Sequence, residues 1–310
     1  MKEFDLIARL TRNLPTHPGV IAGPGDDCAL LDLGLPLHWV VLKTDAVVEG
    51  IHFTPETPPD RVGHKAMARV LSDFAAAAAT PTAALVTLAL PPSYDPERID
   101  ALYQGLCETA RRWNVAIVGG ETTTNPDRVL ISISALGTVE KNRSVRRSGA
   151  QPGDALFVSG ELGGSIAGHH LNFQPRLDEA RWLAEQFSVH AMIDLSDGLA
   201  GDLRHLTTAS GVGAELFETS LPVRREAKLR ARSGESPKSA VLAALTDGED
   251  FELLFAVSKR DAVAVLDGWR ARFPEVRLTC IGRILSEPII RLRDRQGPKP
   301  MPTHGYVHFA

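Results

Sequence analysis

The stretch "AMIDLSDGLAGDLRHL", residues 191–206, holds the change of element on which the fold turns. Ala191–Asp194 is a short apolar run of strand character, and Leu199, Leu203 and Leu206 then recur at i, i+4 and i+7, one buried helix face. A strand passing almost directly into a helix belongs to an α/β or α+β chain. The junction also carries two carboxylates, Asp194 and Asp197, with Ser196 between them and Gly198 after. Ser196 or Asp197 alone could cap the helix. A second acid leaving the core has a cost that a cap does not explain.

Outward from this junction, strand-length apolar runs alternate with helix-period segments. Residues 38–45, 85–90, 115–120 and 129–139 read as strands, and 60–79 and 95–113 between them as helices. The turn-rich segment 141–154 then separates two halves, with the boundary drawn as 1–142 and 143–310. The second half offers strands at 155–160, 191–194, 251–257 and 277–284, and helices at 177–187 and 198–210. The charged, Ser-rich segment 224–240 reads as a surface excursion. The strand spacings fit both hairpins and crossovers, so mixed sheets with helices are expected.

Composition excludes several classes. Of the 310 residues 44% are hydrophobic and 23% charged, which places the chain among ordinary globular proteins rather than disordered ones. A net charge of −4 advertises no surface for nucleic acid or anionic lipid. No run approaches the roughly 20 apolar residues of a membrane span. The N-terminal stretch lacks an apolar signal core. Cys28, Cys107 and Cys280 are isolated singles, which argues against disulfides or a zinc site. A cytoplasmic protein is the expectation.

Acids then keep appearing beside glycines or at the expected strand ends. They are Asp26 and Asp27, Asp45 after Thr44, Asp73, Glu121 after Gly119-Gly120, Asp194 and Asp197, and Asp247, Glu249 and Asp250. Each has an ordinary reading: turn residues for Asp26 and Asp27, a surface pair with Arg69 for Asp73, solvent-facing punctuation for Asp45. Together they demand more, because carboxylates gathered without cations raise one another's pKa. Hard divalent ions relieve that repulsion, and magnesium shares such carboxylates with substrate phosphates. Glycines at 119, 120, 163, 164 and 198 would let backbone N–H groups approach phosphate. The composite reading is a nucleotide site with several magnesium ions. No Walker loop, complete G-x-G-x-x-G, kinase catalytic loop or G-x-S-x-G is present. His169-His170 reads as helix surface.

The motifs "GPGDDCALL" (23–31), "KTDAVVEGIHF" (43–53), "GHKAMARVLSDFAA" (63–76), "VGGETT" (118–123), "RRSGAQPGD" (146–154), "MIDLSDGL" (192–199), "DGEDFELLF" (247–255) and "GYVHF" (305–309) stand in one order. In that order the chain resembles the thiamine-monophosphate kinases of the aminoimidazole ribonucleotide synthetase superfamily. The resemblance implies a two-domain fold, ATP as phosphoryl donor, thiamine monophosphate as acceptor and a homodimer paired through N-terminal sheets. The N-terminal half would carry ATP, metal and the dimer contact. By position it implies magnesium ligands at Asp27, Thr44, Asp45, Asp73, Asp194 and Asp197, with Glu121 where the family has Asp. Gly120, Arg147 and Ser196 match ATP-contacting positions; His52, Glu249 and Tyr306 match positions around thiamine monophosphate. No covalent nucleophile is implied.

The chain departs from that pattern at Glu121, at Lys43 in place of a small hydroxyl residue, at "DGEDF" and at "AAAAATP" (75–81). Lys43 has two readings: an ammonium standing in for one magnesium ion, or a side chain that strand alternation turns away from Thr44's side, solvated or paired with an acid. Asp26 and Lys43 are kept as further site candidates. Two other function classes remain open, a related ATP-using synthetase with another acceptor and a degenerate nucleotide-binding dimer. A selenide-activating version is disfavoured, since Cys28 follows no Gly-rich N-terminal arm.

Overall fold

A computed structural model describes residues 3–302 and 305–306. After α1 (Glu3–Thr11) the first half lays down β1 (Val20–Ala22), β2 (Ala29–Leu31), β3 (His38–Val48), α2 (Pro59–Ala76), β4 (Thr80–Leu90), α3 (Pro96–Arg112), β5 (Ala116–Thr124) and β6 (Leu130–Glu140). These strands form one sheet in the order β1-β2-β3-β6-β4-β5. Only β4 and β5, joined through α3, run parallel; the other pairs are antiparallel. Alternation gives the sheet two unlike faces. Val41 and Val47 of β3 and Ile131 and Ile133 of β6 turn inward and are buried, whereas Leu42, Leu85 and Leu136 face outward and stay exposed.

The second half contains β7 (Ala155–Ser159), α4 (Leu177–Gln186), β8 (Val189–Asp194), α5 (Leu199–Ser210), β9 (Gly213–Phe217), α6 (Arg225–Ser233), α7 (Ala240–Thr246), β10 (Leu253–Val257), α8 (Ala262–Arg272), β11 (Leu278–Leu285), β12 (Ile290–Asp294) and β13 (Gly297–Pro300). Its sheet runs β13-β12-β9-β11-β7-β10-β8. β7 and β10 are buried along their whole length. Alternation along β10 sends Phe255 into a core shared with α4, α8 and α2, and Leu254 and Ala256 into a second core with α5 and α7. The fold is mixed α+β, as the sequence predicts.

α2 is the central element. It packs on the inner face of the first sheet and also touches α4 and β8 of the second half. Thirteen of its 18 residues are buried, among them Met67, Ala68, Val70 and Leu71 with no accessible surface. No described helix is long and apolar enough to cross a membrane.

Four expectations need correction. β3 continues past Asp45 to Val48, pairing with β6 down to Leu130, so Asp45 lies inside a strand rather than at its end. β5 likewise continues through Gly119-Gly120 to Thr124, which places Glu121 in mid-strand. The strand expected from 251 begins only at Leu253, because Glu249 (φ 64) and Phe251 (φ 50) hold the backbone in the left-handed region. The segment 224–240 contains α6, and Ala227 within it is buried in the second core.

Candidate active site

Asp27 lies between β1 and β2, Asp73 near the end of α2, and Asp194 at the end of β8. Packing of α2 against β8 brings them together: one oxygen from each lies within 4.8 Å of the others, and all three residues are buried. Asp27 Oδ1 accepts from Arg147 Nη2 at 2.6 Å and Nε at 3.1 Å. Asp194 Oδ2 accepts from the Ser72 hydroxyl at 2.7 Å, tying α2 to β8. Asp73 Oδ1 accepts from Lys43 Nζ at 2.7 Å. Burial and the Asp27 charge push the Asp194 carboxyl up to about 6. Burial pushes Asp73 up as well, with Lys43 pulling against it. Burial opposes the Lys43 charge, yet Asp73 and Asp45 outweigh it and raise its pKa. Asp27 Oδ2 is buried without a hydrogen-bond partner. An oxygen-only donor set with one orphaned buried oxygen suits a hard divalent cation such as magnesium.

A cavity of about 440 Å³ opens where the Asp194–Asp197 segment leaves the sheet. His52 and Arg69 line it from the first half, and Ser196, Asp197, Gly248, Glu249, Phe251 and Tyr306 from the second, where Glu249 N–H donates to the Ser196 carbonyl and Tyr306 N–H to the Asp197 carbonyl. Glu249 Oε2 takes Lys65 Nζ at 2.8 Å and lies 3.2 Å from His170 Nδ1; Arg69 is 3.6 Å from Oε1. Burial would raise the Glu249 carboxyl, but His170 and Lys65 bring it down to about 2. Lys65 has no accessible side-chain surface, and burial lowers its ammonium to about 8 despite Glu249. Burial and Arg69 lower His52 to about 4, so its ring is neutral at pH 7, with Nδ1 accepting from Val48 N–H.

The N-cap of α5 is Gly198, with φ 100 and no side-chain cap, so neither Ser196 nor Asp197 serves as one. Asp197 instead donates its N–H to Asp202 and gives its carbonyl to Tyr306 N–H. The surface-pair reading of Asp73 also fails, since Arg69 turns to Asp45 at 3.0 Å. Asp26 clamps the loop, accepting from the N–H groups of Asp27 and Arg147.

Other candidates stand apart from the three-acid group. Thr44 points to the outer face of the sheet, where its hydroxyl meets Ser134 at 3.0 Å, whereas Lys43 and Asp45 point inward. Glu121 is exposed on the same outer face, registered opposite Thr87. Gly120 is held by packing, since a Cβ there would lie 1.8 Å from the Val86 carbonyl oxygen. Tyr306 lines the cavity, while Val307–Phe309 of its motif lie outside the described residues.

Sequence reasoning missed Lys65, Arg69, Ser72 and His170. A signal existed for the first two: Lys65, Arg69 and Asp73 are spaced by four along α2, and Arg69 is the one polar residue in the stretch Ala66–Leu71, so the three form one stripe facing the site. His170 is no surface residue; it is buried against Lys65 and Glu249. The supposed excursion supplies Arg230, Ser236, Pro237 and Lys238 to the cavity wall.

Family models for AIR synthase related proteins match residues 25–139 with the N-terminal domain and 144–294 with the C-terminal domain. Fold and site thus define an AIR synthase related protein. Thiamine-monophosphate kinase from Rhodopirellula baltica is 42% identical, covering 85% of this chain and 84% of its own. The enzyme of the same name from Bacillus subtilis is 34% identical over the full length of both chains. The chain belongs to the thiamine-monophosphate kinase family. A solved structure, AaThiL complexed with AMPPCP and TMP, matches with a TM-score of 0.82 at 28% identity, covering 99% of this chain and 97% of its own. The fold is broader than the family: Escherichia coli HypE, a hydrogenase maturation protein, matches with a TM-score of 0.73 at 22% identity, covering 98% of this chain and 97% of its own.

Proposed function

We propose that the chain transfers the γ-phosphoryl group of ATP in line onto the phosphate of thiamine monophosphate, giving thiamine diphosphate, with magnesium held by Asp27, Asp73 and Asp194. The observation that carries this is the Asp194–Asp197 segment, which begins in the three-acid centre and ends in the wall of the cavity. Asp27, Asp73 and Asp194 would hold magnesium, whose positive charge would offset the repulsion between two anionic substrates. The rest of the work is positioning, since phosphoryl transfer needs no protein nucleophile. Asp197, Asp247 and Glu249 supply the cavity with negative charge and Arg69, Arg230 and Lys238 with positive charge. That pairing suits an acceptor with a cationic ring at one end and a phosphate at the other. His52 and Tyr306 flank that acceptor, with Ser196 turned toward the nucleotide and Arg147 beside Asp27 (Gly120 remains an ATP-contact candidate). Asp45 and Asp197 are secondary metal candidates; Thr44 and Glu121 receive no metal role, because their side chains face the other side of the sheet.

Purified chain with ATP, magnesium and thiamine monophosphate is expected to form thiamine diphosphate. Consumption of ATP only with some other acceptor would move the chain to a sister activity of its superfamily. Calorimetry with AMPPCP should show binding in magnesium and its loss in excess chelator, because the acids otherwise repel the triphosphate. Equal affinity in both buffers would overturn the metal reading.

The resemblance also proposes a homodimer. The support here is the outer face and edge of the first sheet, where Leu42, Leu85, Val118 and Leu136 are all exposed. Sedimentation at micromolar concentration should give twice the chain mass of 33.5 kDa. A monomer would leave that apolar face unexplained.

A further inference from the structure

We propose that Lys43 is a built-in counter-ion of the acid centre and lowers by one the number of divalent ions the centre holds. The inference rests on the magnesium reading of Asp27, Asp73 and Asp194. Lys43 and Asp45 share the inward face of β3, and Lys43 Nζ reaches 2.7 Å from Asp73 Oδ1. That oxygen belongs to the very carboxylate that α2 contributes to the group. Only 24% of the Lys43 side chain is accessible, so the ammonium is held in place rather than waving in solvent.

Charge makes the consequence definite. Three carboxylates meet two cations bonded directly to them, Arg147 on Asp27 and Lys43 on Asp73. One negative charge is left over. A first divalent ion offsets it, and a second would have to displace Lys43 from the Asp73 oxygen that it holds at 2.7 Å. Without Lys43, two negative charges remain and an oxygen of Asp73 is freed for a ligand bond. An ammonium is a point charge without octahedral demands, so it neutralises without imposing metal geometry.

The test counts ions rather than turnovers. With AMPPCP saturating, Mn2+ bound per chain is measured by equilibrium dialysis and by the EPR signal of the free ion. Lys43→Met should hold one ion more than wild type, and Lys43→Arg, which keeps the charge, the wild-type number. Equal stoichiometry in wild type and Lys43→Met overturns the proposal. Should Lys43→Met fold poorly, its unfolding temperature should rise more on Mn2+ addition than that of wild type; equal rises overturn the proposal too. Wild type that binds no Mn2+ would remove the metal reading itself, whereas bound Mn2+ with unchanged stoichiometry removes only the role of Lys43.

Discussion

Asp194→Asn is expected to lower kcat by about a thousandfold or more while leaving the fold intact. If Asp194 holds magnesium as proposed, its loss as a ligand removes several kcal/mol of transition-state charge stabilisation, and each ~1.4 kcal/mol is tenfold in rate. The amide keeps the shape of the carboxyl and can still accept from the Ser72 hydroxyl, now 2.7 Å from Asp194 Oδ2. Without metal the variant should be no less stable than wild type, because it deletes a buried charge that Asp27 opposes. The measurement is kcat with magnesium alongside thermal unfolding in chelator. Near-native turnover would return Asp194 to a purely structural role. A cap or surface pair would have cost only about 1 kcal/mol of stability and no activity.

Glu249→Gln should cost stability instead, by about 3–5 kcal/mol near neutral pH. The reason is Lys65, fully buried with Glu249 as its carboxylate partner. Its other contacts, the His52 carbonyl and His170 Nδ1, carry no negative charge to replace the one removed. The pH dependence carries a sign that identifies the cause. Glu249 is depressed to about 2 from 4.5, so its contribution is present above 4.5 and is lost as pH falls through about 2. Lys65 is depressed to about 8 from 10.5, so the folded state releases its proton early and stability from this group rises with pH between those values. Removing Glu249 should move the lower edge of that window down. The variant should therefore be weakest against urea near pH 6 and recover toward pH 9. A loss independent of pH across that range would mean that packing, not the unpaired ammonium, is responsible.

The fold is largely legible because apolar runs of strand length alternate with helices of amphipathic periodicity, α3 among them. Strand ends are not. Asp45 and Glu121 look like terminators, yet pairing partners on β6 and β4 carry both strands past them. No local signal reports a partner more than 30 residues away. The site was legible as a set of acids, and three of those named, Asp27, Asp73 and Asp194, converge. What stayed hidden was the cationic half. Lys65 has no sequence reading at all, Arg69 only that of a surface partner for Asp73, and Lys43 has two readings that its rotamer decides by reaching Asp73. Strand alternation does separate Lys43 from Thr44, and Lys43 pairs with an acid, Asp73, as one reading allowed. The cavity wall from Arg230 to Lys238 was hidden for another reason: a charged, Ser-rich segment looks the same whether it borders a ligand or bulk solvent.

The placement of Asp194 on β8 bears on the order of synthesis. A chain emerging from the ribosome completes β1 through β6 first, and with them two acids of the centre, Asp27 and Asp73. The third arrives with β8, a strand at the sheet edge whose neighbour β10 ends only at Val257. Until that neighbour is made, β8 has no strand to pair with, and Asp194 has no fixed seat against Ser72. The three-acid group is therefore complete only once the second half is made and β8 packs against α2.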